Sequence, residues 1–257
     1  MSIYMTGTSS PEIREAAEND LYGRLGLLVT PDTYYLRTHV PSFQAWGMDN
    51  ACFANGGEFD GDTFLRQLDW IINHVDHAHE RCHFAVAPDM FDAVNMIGDW
   101  RGTIDRSWSW LPRIRDAGAP AALVYQDGLQ HHIDQIPWDA FDVAFIGGSD
   151  AFKLGYPRLV PKFPDRDAGN PHYAVLPCLG AIDQDTRKWA ELIAETLLRG
   201  KEIHVGRVNS RTRLAFCEEI GAATCDGTFI TRGGLKNLNR IRNWFNTLEG
   251  SHAARRW

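Results

Sequence analysis

The sequence predicts an α/β fold, a single-domain (β/α)8 barrel (TIM barrel) that spans residues 1–257. Apolar segments of strand length alternate along the chain with amphipathic segments of helical length, which is the pattern of an α/β protein. The chain has 257 residues, the usual size of one such barrel. Several predicted strands also end in aspartate or glycine, as expected where the loops after parallel strands converge on one face.

Residues 1–150 contain most of the predicted strands. Ser10-Pro11-Glu12 predicts a short helix with proline in its first turn, and residues 62–75 predict a longer helix from their apolar side chains at helical spacing. A helical region is predicted from Met90 to Ala117, because Gly118 follows as a terminator. The strands predicted in this part are Leu25–Val29, Trp46–Asp49, His83–Val86, Ala121–Tyr125 and Val143–Ile146.

The remaining residues predict a long loop followed by the last helices and strands. The segment 154–181 is rich in proline and glycine, and within it only Tyr173–Leu176 predicts a strand. Residues 183–198 predict a helix with an aspartate as its N-cap. Residues 202–228 predict a strand, a short helix and a second strand, and Asn237–Leu248 predicts a closing helix.

The charge and the cysteine content of the sequence limit the functions and the cellular locations that we expect. The net charge of −7 argues against unspecific coating of nucleic acid, although it leaves room for a local basic face. Five cysteines without a Cys-x-x-Cys pair indicate reduced thiols, and the sequence has neither a signal-peptide pattern nor an apolar run of membrane length, so we expect a cytoplasmic protein. The sequence leaves open whether the basic residues near the C-terminus form a binding face or solvated helix surface: Arg207, Arg211, Arg213, Arg232, Lys236, Arg240 and Arg242.

The polar residues at the strand ends form the candidate site. In a parallel barrel these ends lie on one face, where carboxylates, a carboxamide and exposed backbone favour a polar planar ligand and nucleophilic or acid–base chemistry. Each cluster alone is also compatible with an ordinary polar loop, and Asp226 alone with the cap of a turn. The clusters are Asp49-Asn50, Pro88-Asp89, Gln126-Asp127-Gly128, Gly147-Gly148 and Cys225-Asp226-Gly227.

In their order along the chain, these clusters resemble the active-site motifs of the tRNA-guanine transglycosylase family, the queuine tRNA-ribosyltransferase-like proteins. Asp49-Asn50-Ala51-Cys52-Phe53 is similar to that family's Asp-Ser-Gly-Gly-Phe, and Ile146-Gly147-Gly148 keeps its Ile-Gly-Gly. The resemblance covers roughly residues 25–245. The other matching segments are Phe84-Ala85-Val86-Ala87-Pro88-Asp89, Val124-Tyr125-Gln126-Asp127-Gly128, His204-Val205-Gly206-Arg207-Val208 and Cys225-Asp226-Gly227-Thr228.

The resemblance implies an enzyme that exchanges guanine in a nucleic acid for a 7-deazaguanine without a cofactor. It implies Asp226 as the nucleophile on the sugar C1′ and Asp49 as the acid–base partner. Asp89 would accept hydrogen bonds from the edge of the base.

Further residues are assigned to the ligand by the same resemblance. Gln126 and the Gly147-Gly148 turn, through the Gly148 amide, would donate to the 6-oxo group, and Phe53 or Tyr125 would stack on the base. Three arginines, Arg207, Arg211 and Arg213, would bind the phosphates that flank the base. The alternative is a salt-bridged helix in which these arginines pair with Glu218 and Glu219.

The departures from the family narrow the expected substrate. The three closely spaced cysteines and the histidine that hold zinc in the tRNA enzymes are absent, so we expect no such metal and no zinc-binding subdomain. Ala51 and Cys52 replace two glycines, and Lys153 stands where the tRNA family has a glutamate, which leaves the 7-substituent open. The short zinc-free pattern is closer to phage and bacterial relatives that place 7-deazaguanines into DNA.

We therefore expect DNA as the partner, with tRNA as the alternative, and a preQ0-like base as the small-molecule substrate. The host would be a bacterium or an infected bacterial cell, with no membrane partner. The oligomeric state stays open, with a homodimer as one option.

Two other functions are compatible with the residues. The chain could be an unrelated TIM-barrel glycoside hydrolase that uses two carboxylates, or a non-catalytic nucleic-acid-binding barrel. A histidine-rich segment could also hold a metal, although the hydrated end of a helix is the favoured interpretation: His74, His77, His79, Cys82 and His83.

Overall fold

Eight parallel strands close into a barrel in the computed structural model, which describes residues 2–19, 23–92, 97–154 and 183–254. The order around the barrel follows the chain, and β1 closes it by pairing with both β2 and β10. A two-stranded antiparallel sheet, β5 and β6, stands outside the barrel after β4. The strands are β1 (Ile3–Thr6), β2 (Leu25–Val29), β3 (Ala45–Met48), β4 (Cys82–Val86), β5 (Phe91–Asp92), β6 (Ile97–Gly98), β7 (Ala121–Tyr125), β8 (Val143–Ile146), β9 (Glu202–Val205) and β10 (Thr224–Asp226).

Helices connect the strands, and local capping explains where several of them begin. The Asp60 carboxylate accepts from the Thr63 amide at 3.0 Å, and the Asp183 carboxylate accepts from the Thr186 amide at 2.9 Å. A 3-10 segment, Pro31–Ser42, links β2 to β3. The helices are α1 (Pro11–Glu18), α2 (Gly61–His74), α3 (Ala78–Arg81), α4 (Trp100–Ser107), α5 (Leu111–Asp116), α6 (Asp150–Leu154), α7 (Gln184–Leu198), α8 (Arg211–Ile220) and α9 (Phe229–Ala254).

Two apolar layers result from the alternation of side chains along each strand. One fills the barrel interior and includes Met5, Phe84 and Val124, and the other lies between the strands and the helices and includes Trp46 and Trp189. Within the described residues, none of the helices is both long enough and apolar enough to cross a membrane.

The structure confirms the predicted barrel and corrects several elements. The first strand, β1, was not predicted, because four residues are too few to show a pattern. The predicted helical region 90–117 is wrong in its first part, where β5 and β6 form instead, and α4 begins only after Asp99, whose carboxylate caps it. The closing helix α9 begins at Phe229, with a break at Gly234. The strand predicted at Tyr173–Leu176 lies outside the described residues.

Candidate active site

The barrel places the predicted strand-end residues at one mouth. Asp49 directly follows β3, Gln126 directly follows β7, and Asp226 is the last residue of β10. Because all eight strands are parallel, these residues share the C-terminal face. Asp89, which follows β4, is joined to this group by a hydrogen bond from Gln126. The grouping that the sequence predicts is therefore present.

A buried hydrogen-bond network centres on Asp89. The Asn50 amide donates to Asp89 Oδ1 at 3.1 Å, and the Gln126 amide donates to Asp89 Oδ2 at 2.7 Å. Arg106 donates to the backbone carbonyl of Asp89 at 2.8 Å. Burial raises the pKa of Asp89, while the Asn50 hydrogen bond acts in the opposite direction. The Cys52 thiol also hydrogen-bonds this carboxyl group, which is thus fixed in orientation.

Gln126 contacts Asp89 in addition to the ligand role predicted for it. Its amide nitrogen donates one hydrogen bond to Asp89 Oδ2 at 2.7 Å. Its carbonyl oxygen Oε1 is buried without a hydrogen-bond partner and lies so close to Gly98 that a side chain there would collide with it. In this conformation Gln126 holds Asp89 in place with one of its two amide N–H groups, and the second N–H remains for donation to a ligand such as a 6-oxo group.

The turn after β8 presents one free amide. The Gly147 amide donates to the Tyr125 carbonyl at 3.0 Å, whereas the Gly148 amide has no hydrogen-bond partner in the described ranges. Gly148 has a φ of +72°, and a side chain there would collide with the Asp127 carboxylate. Asp127 in turn accepts from the Ser149 amide at 2.7 Å. Among the described residues of this turn, the Gly148 amide is thus the candidate donor to a ligand oxygen.

The two candidate stacking residues lie in different layers. The ring of Phe53 is 45% exposed and contacts Phe91 with a centroid distance of 4.7 Å. Tyr125 is fully buried, and its hydroxyl lies 3.2 Å from the Thr196 hydroxyl of α7. The prediction that Tyr125 stacks on a ligand is wrong, because strand alternation points Val124 into the barrel and Tyr125 towards the helices.

The arginines of β9–α8 surround the same mouth. The guanidinium of Arg207 lies 3.7 Å from the centroid of the Phe53 ring. Arg213 donates to the Arg207 carbonyl at 3.0 Å and to Asp150 at 2.9 Å. Arg211, the first residue of α8, is exposed. The carboxylate partner of Arg213 is Asp150 and not Glu218 or Glu219, the partners in the alternative of a salt-bridged helix.

His204 is a site residue that the sequence reasoning did not assign. It is fully buried in β9, and its Nε2 lies 3.0 Å from Asp226 Oδ1. Its Nδ1 lies 2.8 Å from the Thr224 hydroxyl. Burial lowers the pKa of His204, while Asp226 acts in the opposite direction. The available signal was a histidine between Ile203 and Val205 in an otherwise apolar strand.

Lys153 adds a basic group to this acidic mouth. Its side chain is only 2% exposed. Burial, reinforced by the charge of Arg207, lowers the pKa of Lys153 to about 8, while Asp150 and Asp226 oppose this effect. A buried amine of this kind compensates part of the negative charge of the carboxylates.

Asp49 has the environment of a general acid. Burial and then the charge of Asp226 raise the pKa of Asp49 to about 7, with a smaller contribution from Asp89. The Ala51 amide, which donates to Asp49 Oδ1 at 3.2 Å, acts in the opposite direction. Near neutral pH this carboxyl group therefore carries a proton in a large fraction of molecules, as an acid–base catalyst requires.

The histidine-rich segment does not converge on a point. His74 stacks on Trp70, His77 lies 3.2 Å from Glu80, and His83 lies 3.7 Å from Glu202. In the ranges that the structure describes, no group of three or more His, Cys, Asp or Glu side chains is arranged to hold a metal ion.

Comparisons with known proteins do not identify a family. Neither protein-family models nor curated proteins gave a match to this chain. The resemblance to the guanine transglycosylases therefore depends on the order of the sequence motifs alone.

Proposed function

We propose that this protein is a base-exchange glycosyltransferase, a pentosyltransferase that replaces guanine in DNA with a preQ0-like 7-deazaguanine through a covalent glycosyl-aspartate intermediate. The observation that carries the proposal is the difference between two carboxyl groups at one barrel mouth. Asp226 accepts a hydrogen bond from His204, whereas Asp49 has its pKa raised to about 7 by burial and by the charge of Asp226. Carboxyl groups in such different environments suit a nucleophile and an acid.

The reaction would proceed by two displacements. In the first, an Asp226 oxygen bonds to C1′, the C1′–N9 bond breaks with its electron pair on guanine, and Asp49 gives a proton to the leaving base. In the second, the incoming base loses its N9 proton to Asp49, N9 bonds to C1′, and the Asp226 carboxylate is released. Two inversions at C1′ retain the configuration of the sugar.

The Asp89 network supports recognition of a guanine-like base. Its fixed carboxyl group can accept from the N1-H and the 2-amino group, and the Gly148 amide can donate to the 6-oxo group. The Phe53 ring, 45% exposed and in contact with Phe91 and Arg207, could stack on the base. Together they match the donors, acceptors and flat face of the base.

Replacing Asp89 with alanine is expected to weaken guanine binding by about 10- to 100-fold, because two hydrogen bonds to a buried carboxyl group are lost. Isothermal titration with guanine measures this change. Glu58→Ala, which removes an exposed carboxylate from the loop after β3, serves as the matched control. Unchanged guanine affinity in a folded Asp89→Ala variant would contradict the recognition role.

Two arginines, the half-buried Arg207 and the exposed Arg211, support a nucleic-acid partner. A base within a duplex must be flipped out or presented in a single strand before Asp226 can reach C1′. Arg207, which lies over the Phe53 ring, and Arg211, at the start of α8, could contact the flanking phosphates. DNA is favoured over tRNA because the short zinc-free pattern resembles the DNA-modifying relatives.

Arg211→Ala is expected to weaken DNA binding about equally for all sequences and to reduce the salt slope of log K by about 1, since one phosphate contact is lost. Fluorescence anisotropy at several salt concentrations measures both quantities. The control is Arg66→Ala, an exposed arginine on α2. An identical salt slope for wild type and Arg211→Ala would exclude Arg211 from the interface.

The deciding experiment offers preQ0 together with DNA or tRNA in parallel and analyses the nucleosides by mass spectrometry. Incorporation into DNA supports the proposal, and incorporation into tRNA alone replaces it with the alternative substrate. Release of labelled guanine without incorporation, or cleavage of simple glycosides, would indicate a hydrolase. Absence of all three reactions would contradict an enzymatic function of this kind.

A further inference from the structure

The His204 ring is held rigidly inside the barrel. It stacks on Phe145 with a centroid distance of 4.4 Å and an interplanar angle of 28°. Phe84 packs against it edge-on at 4.5 Å. The ring is fully buried, so solvent does not compete for its two nitrogens. Its orientation is therefore set by packing before any ligand binds.

The hydrogen-bond partners determine where the ring proton lies. The nucleophile must be a carboxylate, which can only accept, so this role for Asp226 assigns the proton to Nε2, which lies 3.0 Å from Oδ1. Nδ1 is then an acceptor, and the Thr224 hydroxyl donates to it at 2.8 Å. Burial, which lowers the pKa of His204, keeps the ring in this neutral form.

Only one oxygen of Asp226 is engaged by this contact. Among the described residues, Oδ2 accepts no hydrogen bond from a side chain, and the side chain is 15% exposed towards the mouth. The carboxylate is therefore held through Oδ1 while Oδ2 remains open to a substrate atom.

We infer that Thr224 and His204 form a positioning relay that locks the Asp226 carboxylate through Oδ1 and assigns Oδ2 as the oxygen that bonds to C1′. This inference rests on the proposed function, because it assumes that Asp226 is the nucleophile. In the step itself Oδ2 supplies the electron pair for the new C1′–O bond, the C1′–N9 pair leaves with guanine, and Asp49 gives the proton. His204 neither gains nor loses a proton, so it acts through geometry.

Removing the His204 Nε2–H donor is expected to slow covalent-adduct formation by about 10²-fold while leaving guanine affinity unchanged. A displacement of the attacking oxygen by about 1 Å lowers the rate by a factor of this size. His204→Phe removes the donor and keeps a ring. His204→Gln keeps an N–H donor near the Nε2 position and is expected to recover most of the rate. Thr224→Val removes the hydroxyl that fixes the tautomer and is expected to give an intermediate loss.

The experiment measures single-turnover adduct formation with a guanine-containing DNA oligonucleotide, together with guanine affinity by titration and thermal unfolding of each variant. Slow adduct formation in His204→Phe with rescue by His204→Gln supports the relay. A wild-type rate in His204→Phe, or a rate in His204→Gln as low as in His204→Phe, overturns it. If His204→Phe does not fold, Thr224→Val decides. A wild-type rate of adduct formation in Thr224→Val overturns the relay. A slower rate with normal guanine affinity supports it.

The activity of wild-type protein distinguishes an error in the proposed function from an error in the relay. If wild-type protein forms no adduct and exchanges no guanine, the proposed function is overturned and the relay with it. If the wild-type protein is active and the His204 variants match it, the function stands and only the relay is overturned.

Discussion

Asp226→Asn is expected to abolish guanine exchange and covalent-adduct formation, with a loss of about four orders of magnitude or more. A carboxamide is a far weaker nucleophile than a carboxylate, and its oxygen cannot form the ester that the two-step mechanism needs. The side chain keeps its size, so the contact of His204 with its oxygen and the barrel around it are retained. Guanine affinity is expected to stay within about twofold, because the base contacts are made by other residues.

Two measurements check this prediction: exchange of labelled guanine, and a denaturing gel that detects the protein–DNA adduct. The control is Asp105→Asn, which makes the same chemical change at an exposed position on α4. An Asp226→Asn protein that still forms the adduct would remove Asp226 from the role of nucleophile.

The barrel was predictable because its signals are local. Apolar segments such as Leu25–Val29 and Ala121–Tyr125 are fully buried strands, and each carries its own pattern. The strand-end aspartates were predictable for the same reason, since a parallel barrel brings all C-terminal strand ends to one face. The coarse position of Asp49, Asp89 and Asp226 therefore follows from the sequence.

The contacts between those residues were not predictable, because they depend on register between separate strands. His204 meets Thr224 because these two residues are register partners in the β9–β10 pair. Tyr125 was assigned to the ligand from its place beside Gln126, yet side-chain alternation turns it towards α7. Gln126 was assigned to the ligand, and its additional hydrogen bond to the buried Asp89 carboxyl group at 2.7 Å could not be read from the sequence.

The surroundings of Asp49 and Asp226 distinguish the roles proposed for them, which their residue type cannot do. Asp49 and Asp226 are the same amino acid at equivalent ends of β3 and β10. Asp226 has the His204 imidazole as a hydrogen-bond donor, whereas Asp49 has the Ala51 amide and an unfavourable neighbour in the charge of Asp226. The proton is therefore favoured on Asp49, which gives the pair the asymmetry that acid and nucleophile need.

Asp49→Asn is expected to abolish exchange and, unlike most active-site changes, to stabilise the protein at alkaline pH. The pKa of Asp49 is raised to about 7 in the fold, above the value of about 4 in the unfolded chain. Between these two values the folded protein binds more protons than the unfolded chain, so the free energy of unfolding falls as pH rises from 4 to 7. Above pH 7 the cost of the buried charge is fully present, and removing the charge recovers roughly 1–3 kcal/mol.

Urea unfolding of wild type and Asp49→Asn at pH 5 and at pH 8.5 measures this difference. The stability advantage of the variant is expected to be smaller at pH 5, where Asp49 is neutral in the fold but largely ionised in the unfolded chain, and to reach its full size at pH 8.5. In wild-type protein the rate of adduct formation is expected to fall as pH rises through about 7, because the leaving guanine needs the Asp49 proton. A stability difference that is the same at both pH values would show that Asp49 is ionised throughout, and the acid would then have to be another group. If the kinetic midpoint agrees with the pH at which the stability of wild type stops falling, both are assigned to one carboxyl group, since both report the pKa of Asp49 in the fold.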